Sequence, residues 1–190
     1  MIKMLQFALL MFLPIAVNAQ NLYFVDVAKN QPLVYRDGDG SFKGCGIRTI
    51  FMTDVPSQTH VGDISVNIFK SPNGQIMGLT KAIYSYVSDM NRLDKVKNLP
   101  IDSYMMANAS GKAIKLSNVR SGEDINSLVS PSSPNDAVQF MNDISSGKTV
   151  QVGIKLKSEK TLRIFSMKVN QFSIQEAEPF MACLKQVLPN

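Results

Sequence analysis

The stretch DISVNIF, residues 63–69, constrains the fold more than any other part of this sequence, because apolar and polar side chains alternate from Asp63 to Ile68. The isoleucines and the valine share one face of an extended chain, because successive side chains of a strand point to opposite sides. The sequence SPNG follows at 71–74, where proline presets φ and Asn-Gly tolerates positive φ. The stretch therefore predicts the first arm of a β-hairpin that returns through residues 75–87.

The returning arm, QIMGLTKAIYSYV, fits two periodicities. Leu79, Ile83 and Val87 are spaced as they would be on one side of a helix. Isoleucine, threonine and tyrosine are common in the segment, and these residue types favour strands. The sequence therefore favours a strand for 75–87 and leaves a helix as the alternative.

Several other runs predict strands, because they are rich in β-branched and aromatic residues. They are NLYFVDV (21–27), PLVYRD (32–37) and CGIRTIFMT (45–53), followed by hairpins over 102–116 and 148–169. The segment 88–100 is charged and predicts a surface connection. Most of the chain is therefore expected to form antiparallel sheet.

The segment SSPNDAVQFMNDISSG predicts a helix over about 134–146. Ser133 can cap its first turn, and Pro134 suits the first helical position. Gly147 supplies the stop. One apolar stripe is formed by residues at i, i+3, i+4 and i+7, namely Ala137, Phe140, Met141 and Ile144.

The C-terminal helix has conflicting signals at its start. Ser173 and Glu176 form a capping-box pattern, but Pro179 would then lie beyond the first turn, where proline removes a helical hydrogen bond. We therefore expect the regular helix over about 179–188, with a kink at Pro179 as the alternative. Its predicted apolar face consists of Phe180, Cys183, Leu184, Val187 and Leu188.

These elements predict an α+β fold, mainly antiparallel β-sheet or sandwich with two short helices. The chain has no internal repeat, low-complexity tract or long linker. A chain of this length can bury a substantial core by itself. We therefore expect a single β-rich globular domain over residues 20–190.

The first nineteen residues, MIKMLQFALLMFLPIAVNA, predict a secretory signal peptide. Lys3 precedes an apolar run, and Val17 and Ala19 are small residues at the positions that define a cleavage site. The apolar run is shorter than the roughly 20 residues that span a bilayer, and an uncleaved anchor is the alternative. We therefore predict cleavage after Ala19, which leaves a periplasmic or secreted protein without a membrane span.

Cys45 and Cys183 are the two cysteines of the chain. Cys183 lies on the apolar stripe of the predicted helix, and Cys45 stands between two glycines in a predicted strand. Two inward-facing cysteines in an exported chain predict one intramolecular disulfide, with two buried free thiols as the alternative. Catalytic use is disfavoured, because the chain has no C-x-x-C motif and His60 is the only histidine available as a base.

Metal and phosphate motifs fail in detail. Counted from Asp37, the run DGDGS places Phe42 and Arg48 where an EF-hand loop needs glycine and glutamate, so a tight turn is favoured over an irregular cation site. The run SSGKT lacks the first glycine of a phosphate loop, which favours Gly147 as a helix stop. One histidine and two cysteines are too few for a zinc site. We therefore predict no metal and no cofactor.

One hairpin has a concentrated positive charge. Between 148 and 168 the chain has six basic residues and a single acid, Glu159. The candidate patch for an anionic partner consists of Lys148, Lys155, Lys157, Lys160, Arg163 and Lys168. Such a cluster attracts acidic proteins or lipid head groups, whereas protection of a sheet edge is the alternative. Nucleic acid is disfavoured, since no aromatic stacking platform accompanies the basic residues.

The sequence favours a non-enzymatic binding or interaction protein of the bacterial cell envelope, such as an inhibitor, an immunity-type protein or an accessory component. Its expected partner is a protein or an anionic envelope component. A hydrolase of envelope polymers is one alternative, and it would use scattered carboxylates such as Asp63, Asp102, Glu123 and Asp124. A small-ligand carrier is the other, and it would need a large apolar cavity.

Overall fold

A computed structural model describes residues 21–25, 27–55, 58–87 and 96–188. These residues form the predicted α+β fold, in which antiparallel sheet dominates. The strands are β1 (Asn21–Phe24), β2 (Val27–Arg36), β3 (Phe42–Val55), β4 (Gln58–Lys70), β5 (Ile76–Val87), β6 (Val96–Asn98), β7 (Ile101–Ala107), β8 (Arg120–Ser121), β9 (Leu128–Ser132), β10 (Thr149–Leu156) and β11 (Arg163–Lys168). The helices are α1 (Pro134–Ser145) and α2 (Ile174–Val187).

The larger sheet has the strand order β2-β3-β4-β5-β9-β8, and β6 pairs with the end of β5. At its centre, β4 and β5 form an antiparallel pair whose last residue pair before the turn is Lys70 and Ile76. Gly74 in the connecting turn has φ of 82°, which only glycine adopts readily. The predicted hairpin is therefore confirmed, and its second arm is a strand.

The smaller sheet has the strand order β1-β11-β10-β7. β10 and β11 form the hairpin predicted over 148–169, with Thr149 opposite Lys168. β1 runs parallel to β11, whereas the other neighbours in this sheet are antiparallel. The first described strand therefore completes one edge of the smaller sheet.

The two sheets pack face to face and share one core. The ring centroid of Phe165 on β11 lies 5.0 Å from that of Phe51 and 5.5 Å from that of Tyr84, both on the larger sheet. α1 packs against β4, β5 and β10, and α2 packs against β2 and β3. The buried apolar residues of the helices belong to the predicted stripes: Ala137, Phe140, Met141 and Ile144 in α1, and Phe180, Cys183, Leu184 and Val187 in α2. Leu188, also predicted on the α2 face, follows the helix as its C-cap and is half-buried.

α2 starts earlier than the sequence predicted. It begins at Ile174 instead of about 179, and Pro179 lies inside it. Ser173 and Glu176 form a complete capping box, which satisfies backbone donors of the first turn. The cap therefore outweighs the hydrogen bond that the proline cannot make.

Four segments depart from the predicted strand pattern. β6 lies inside 88–100, where a surface connection was expected, and β8 and β9 were not predicted. The return arm expected within 102–116 forms only the isolated bridges Ala107↔Ala113 and Leu116↔Ser132. These bridges join different sheets, so this segment crosses from one sheet to the other instead of completing a hairpin.

None of the described helices is long and apolar enough to cross a membrane. The predicted signal peptide, residues 1–19, lies outside the described residues.

Candidate functional site

Cys45 and Cys183 lie at disulfide distance, with their Cα atoms 6.0 Å apart. Cys45 is on β3 and Cys183 on α2, and neither is exposed to solvent. The contact ties α2 to the larger sheet, as expected for a structural disulfide.

His60 lies far from Cys45. Its partner across β3 and β4 is Thr53, eight residues from Cys45 along β3, which corresponds to about 26 Å in a strand. His60 stacks instead on Tyr84, with the ring centroids 5.2 Å apart. This geometry excludes a cysteine–histidine pair in the described fold.

The DGDGS run forms a tight turn. The Asp37 N–H donates to the Ser41 carbonyl at 2.9 Å, and an Asp37 carboxylate oxygen lies 3.1 Å from Lys43 Nζ. Asp39 accepts hydrogen bonds from the N–H and the hydroxyl of Ser41, and these bonds lower its pKa. Among the described residues, no group of three or more His, Cys, Asp or Glu side chains could hold a metal ion.

The members of the candidate patch are divided between the two ends of the β10–β11 hairpin. Lys148 and Lys168 lie at one end, and the other four members lie near the connecting turn. The length of β10 separates these ends by about 25 Å. The patch is therefore two smaller groups of charge.

Three patch members also have acidic partners: Lys148 with Asp143, Lys155 with Asp102, and Arg163 with Glu159. Asp102 and Asp143 come from β7 and α1, so a charge count along the hairpin does not include them. Lys157, Lys160 and Lys168 have no acidic partner among the described residues.

The Lys148 contact belongs to a polar junction around Asp143, which is only 2% exposed. The Asp143 carboxylate accepts three hydrogen bonds: from Lys148 Nζ at 2.9 Å, from Gln139 Nε2 at 3.1 Å and from the Ala109 N–H at 3.0 Å. Burial alone would raise the pKa of Asp143, but these hydrogen bonds lower it below its ordinary value. This satisfied carboxylate joins α1 to the start of β10 and has a structural role.

The side of the larger sheet that faces away from the core is not covered by the smaller sheet or by either helix. We call this surface the open face, and it is defined by Tyr35, Arg48, Asp63, Ser65, Asn67, Phe69, Leu79 and Lys81. Strand register brings these side chains together: Ser65 on β4 pairs with Arg48 on β3 and with Lys81 on β5.

Two glycines of β3 form the floor of the open face. A Cβ atom on Gly44 would collide with the ring of Phe69, and one on Gly46 would collide with the side chain of Asn67. Their hydrogen side chains therefore allow Phe69 and Asn67 to lie across β3.

A hydrogen-bonded row orders the polar part of the open face. Tyr35 Oη donates to Asn67 Oδ1 at 3.0 Å, and Asn67 Nδ2 donates to Ser65 Oγ at 3.1 Å. The rings of Tyr35 and Phe69 are in contact, with centroids 4.9 Å apart. These contacts hold both aromatic side chains in one orientation before any ligand binds.

Two ion pairs flank this row. Arg48 makes a bidentate contact with Asp63, from Nε at 3.0 Å and from Nη2 at 2.5 Å. Lys81 pairs with Asp124, and this hydrogen bond lowers the pKa of Asp124. The side chains of Arg48 and Asp124 are 43% and 52% exposed, so both pairs are accessible from solvent.

A groove of about 980 Å³ adjoins the open face at the end of the larger sheet. We call it the end groove. Its apolar lining consists of Phe42, Phe69, Pro72, Ile76, Met77, Leu79, Pro131 and Pro134. Its charged lining consists of Asp37, Lys43, Lys70 and Arg120.

Sequence reasoning did not identify the open face or the end groove. The one available signal was the set of polar residues opposite the buried side of β3 and β4, such as Arg48 and Asp63. That alternation shows that they point away from the core. It does not show that they are neighbours, because strand register depends on contacts between distant segments.

Comparisons with protein-family models, with curated proteins and with solved structures give no match to this chain. The geometry of the described residues is therefore the basis for the functional proposals.

Proposed function

We propose that this chain is an exported, non-enzymatic binding protein of the bacterial cell envelope, and that a protein partner with an acidic surface binds its open face. The observation that carries the proposal is the uncovered side of the larger sheet, where Tyr35, Arg48 and Phe69 are held in fixed orientations. Aromatic and arginine side chains are enriched among residues that dominate binding energy in protein interfaces.

Charge supports an acidic partner. The chain has a formal net charge of +5, whereas Arg48 and Lys81 of the open face are each paired with a carboxylate, so the attraction comes from the protein as a whole. A positive protein attracts a negatively charged surface and accelerates the encounter with it. Periplasmic or secreted localisation is part of this proposal, since the predicted signal peptide would place the protein there.

The ionisation of the carboxyl groups favours binding over hydrolysis. A general acid at neutral pH needs a carboxyl group with a raised pKa. Each carboxyl group of the described residues whose pKa departs from its ordinary value has a lowered pKa. Asp63 and Asp102, two candidates for a hydrolase, are paired with Arg48 and Lys155.

The test uses the mature protein to capture its partner from an envelope fraction, followed by affinity measurements with that partner in purified form. The key variant is Ser65→Glu, which adds a negative charge between the cross-strand neighbours Arg48 and Lys81. Arg48 and Lys81 already pair with Asp63 and Asp124, so the new carboxylate gives the open face a net negative charge that repels an acidic partner. We expect the affinity to fall about tenfold or more, and Ser65→Gln should bind nearly as wild type.

A second variant examines the basic hairpin separately. Lys157→Glu with Lys160→Glu reverses two exposed charges that have no acidic partner among the described residues. Near-normal binding by this variant supports the open face. Unchanged binding by Ser65→Glu, together with loss of binding by the hairpin variant, would overturn the open-face site and place the partner on the predicted patch.

A further inference from the structure

The end groove has the size and lining of a ligand site. Its volume of about 980 Å³ lies near the upper end of the range of about 300–1,000 Å³ that is usual for such sites. Much of its lining is apolar and contributed by side chains such as Phe42, Ile76 and Met77, the last of which is 51% exposed. The groove therefore offers apolar contact to a ligand that would otherwise expose hydrocarbon to water.

The charges around the end groove favour a negatively charged ligand. Lys43 is neutralised by Asp37, at 3.1 Å from its carboxylate. Lys70 and Arg120 line the same groove, and neither has an acidic partner among the described residues. Two positive charges are therefore left uncompensated beside an apolar surface, which suits an amphiphile with an anionic group.

The backbone around the end groove is already paired, which disfavours an extended peptide. β4 is paired on both sides by β3 and β5, and β5 by β4 and β9. On the far side of β9, Leu116 pairs with Ser132 and the Ser117 N–H donates to the Pro131 carbonyl. A peptide strand would find few free backbone groups here, whereas an acyl chain needs none.

We propose that the end groove binds a lysophospholipid with an anionic headgroup. Its single acyl chain lies on the apolar lining, and its phosphate contacts Lys70 or Arg120. Lys70 lies on β4 and Arg120 on β8, and β5 and β9 lie between these strands. Either cation can therefore hold the phosphate, and the acyl chain then extends toward the other cation. The inference goes beyond the proposed protein partner, because it concerns a second ligand held by different charged residues.

The test measures binding of four probes to the mature, oxidised protein by calorimetry, below the micelle concentration of each lipid. They are lysophosphatidylglycerol, lysophosphatidylcholine with the same acyl chain, palmitate and glycerol phosphate. We expect lysophosphatidylglycerol to bind about tenfold more tightly than lysophosphatidylcholine, whose choline group adds a positive charge near Lys70 and Arg120. Glycerol phosphate lacks the acyl chain and should not bind measurably.

Matched variants locate the site. Lys70→Gln with Arg120→Gln removes the two free cations, and we expect about a tenfold loss of affinity for lysophosphatidylglycerol. Each single variant then identifies which cation holds the phosphate. Lys157→Gln with Lys160→Gln removes the same charge elsewhere and should bind as wild type. Phe69 and Leu79 are left unchanged, because they also line the open face.

Four results would overturn the proposal. The first three are equal binding of the two lysophospholipids, equal loss of affinity in both double variants, and no binding of lysophosphatidylglycerol at all. The fourth is tighter binding of palmitate than of lysophosphatidylglycerol, which would assign the groove to a fatty acid. None of these results bears on the protein partner, because that proposal is tested by Ser65→Glu.

Discussion

Gly44 and Gly46 show how much of the open face depends on single residues. In the sequence they flank Cys45 and only indicate that another group approaches the backbone. In the structure each glycine accommodates one specific side chain of β4, the ring of Phe69 or the amide of Asn67. A side chain on either glycine would therefore disturb the Tyr35–Asn67 hydrogen bond or the aromatic contact beside it.

His60 should make the stability of the fold depend on pH. It is 4% exposed and its Nδ1 has no hydrogen-bond partner among the described residues. Burial, followed by the charge of Arg163, lowers its pKa below the ordinary value of 6.5, although Glu159 acts in the opposite direction. As the pH falls through 6.5, the unfolded chain binds a proton that the folded chain excludes, so the free energy of unfolding should decrease.

Urea unfolding at several values between about pH 7.5 and about pH 5 measures this dependence. The control is His60→Phe, which keeps an aromatic ring against Tyr84 but does not titrate. We expect a flatter pH dependence in this variant than in the wild type. Equal slopes in the two proteins would show that His60 does not contribute.

At the scale of elements, α2 illustrates how local signals compete. Ser173 and Glu176 favour a helix start at Ile174, while Pro179 disfavours helix at its own position. Sequence reasoning gave the proline more weight and placed the start too late. The capping box decides the outcome, because Phe180, Cys183, Leu184 and Val187 all follow Pro179 and are buried with either start.

Replacing Pro179 with alanine should stabilise the protein. Pro179 is exposed, so its side chain contributes little packing, and alanine restores the N–H that proline lacks. We expect the free energy of unfolding to rise by about 1 kcal/mol or more. This rise is smaller than the full difference in helix propensity, because alanine also makes the unfolded chain more flexible. Urea denaturation measures the change, and a destabilised variant would show that the proline is favourable in its present place.

At the scale of the whole molecule, the Cys45–Cys183 contact joins positions 138 residues apart. It attaches the C-terminal helix to the larger sheet, whose first strands come from the other end of the described chain. A covalent bond here would restrict the unfolded chain over most of its length. The chain-entropy description assigns the main effect of such a bond to the unfolded state.

Changing both cysteines to alanine should lower the free energy of unfolding by about 4–5 kcal/mol in the chain-entropy description. Urea denaturation of the variant and of the reduced wild type measures the loss. Intact mass before and after reduction provides the independent check, since a disulfide gains two hydrogen atoms. Alkylation of both thiols in the unfolded, unreduced protein would contradict the bond.

Local patterns in the sequence specify several elements of this fold. Alternation in DISVNIF and the SPNG turn predicted the central hairpin, and the cap at Ser133 with its apolar stripe predicted α1. The sequence also predicted the class of fold and the meeting of Cys45 with Cys183. These predictions succeed because side-chain periodicity and turn chemistry depend on neighbouring residues.

The available charges and faces depend on contacts between distant parts of the chain. In the fold, Lys155 pairs with Asp102 and Lys148 pairs with Asp143. The basic residues of the β10–β11 hairpin lie at its two ends. One side of the larger sheet is left uncovered as the open face, and the end groove lies beside it. Such features depend on register and packing between residues that are distant in the chain, and no local pattern specifies either.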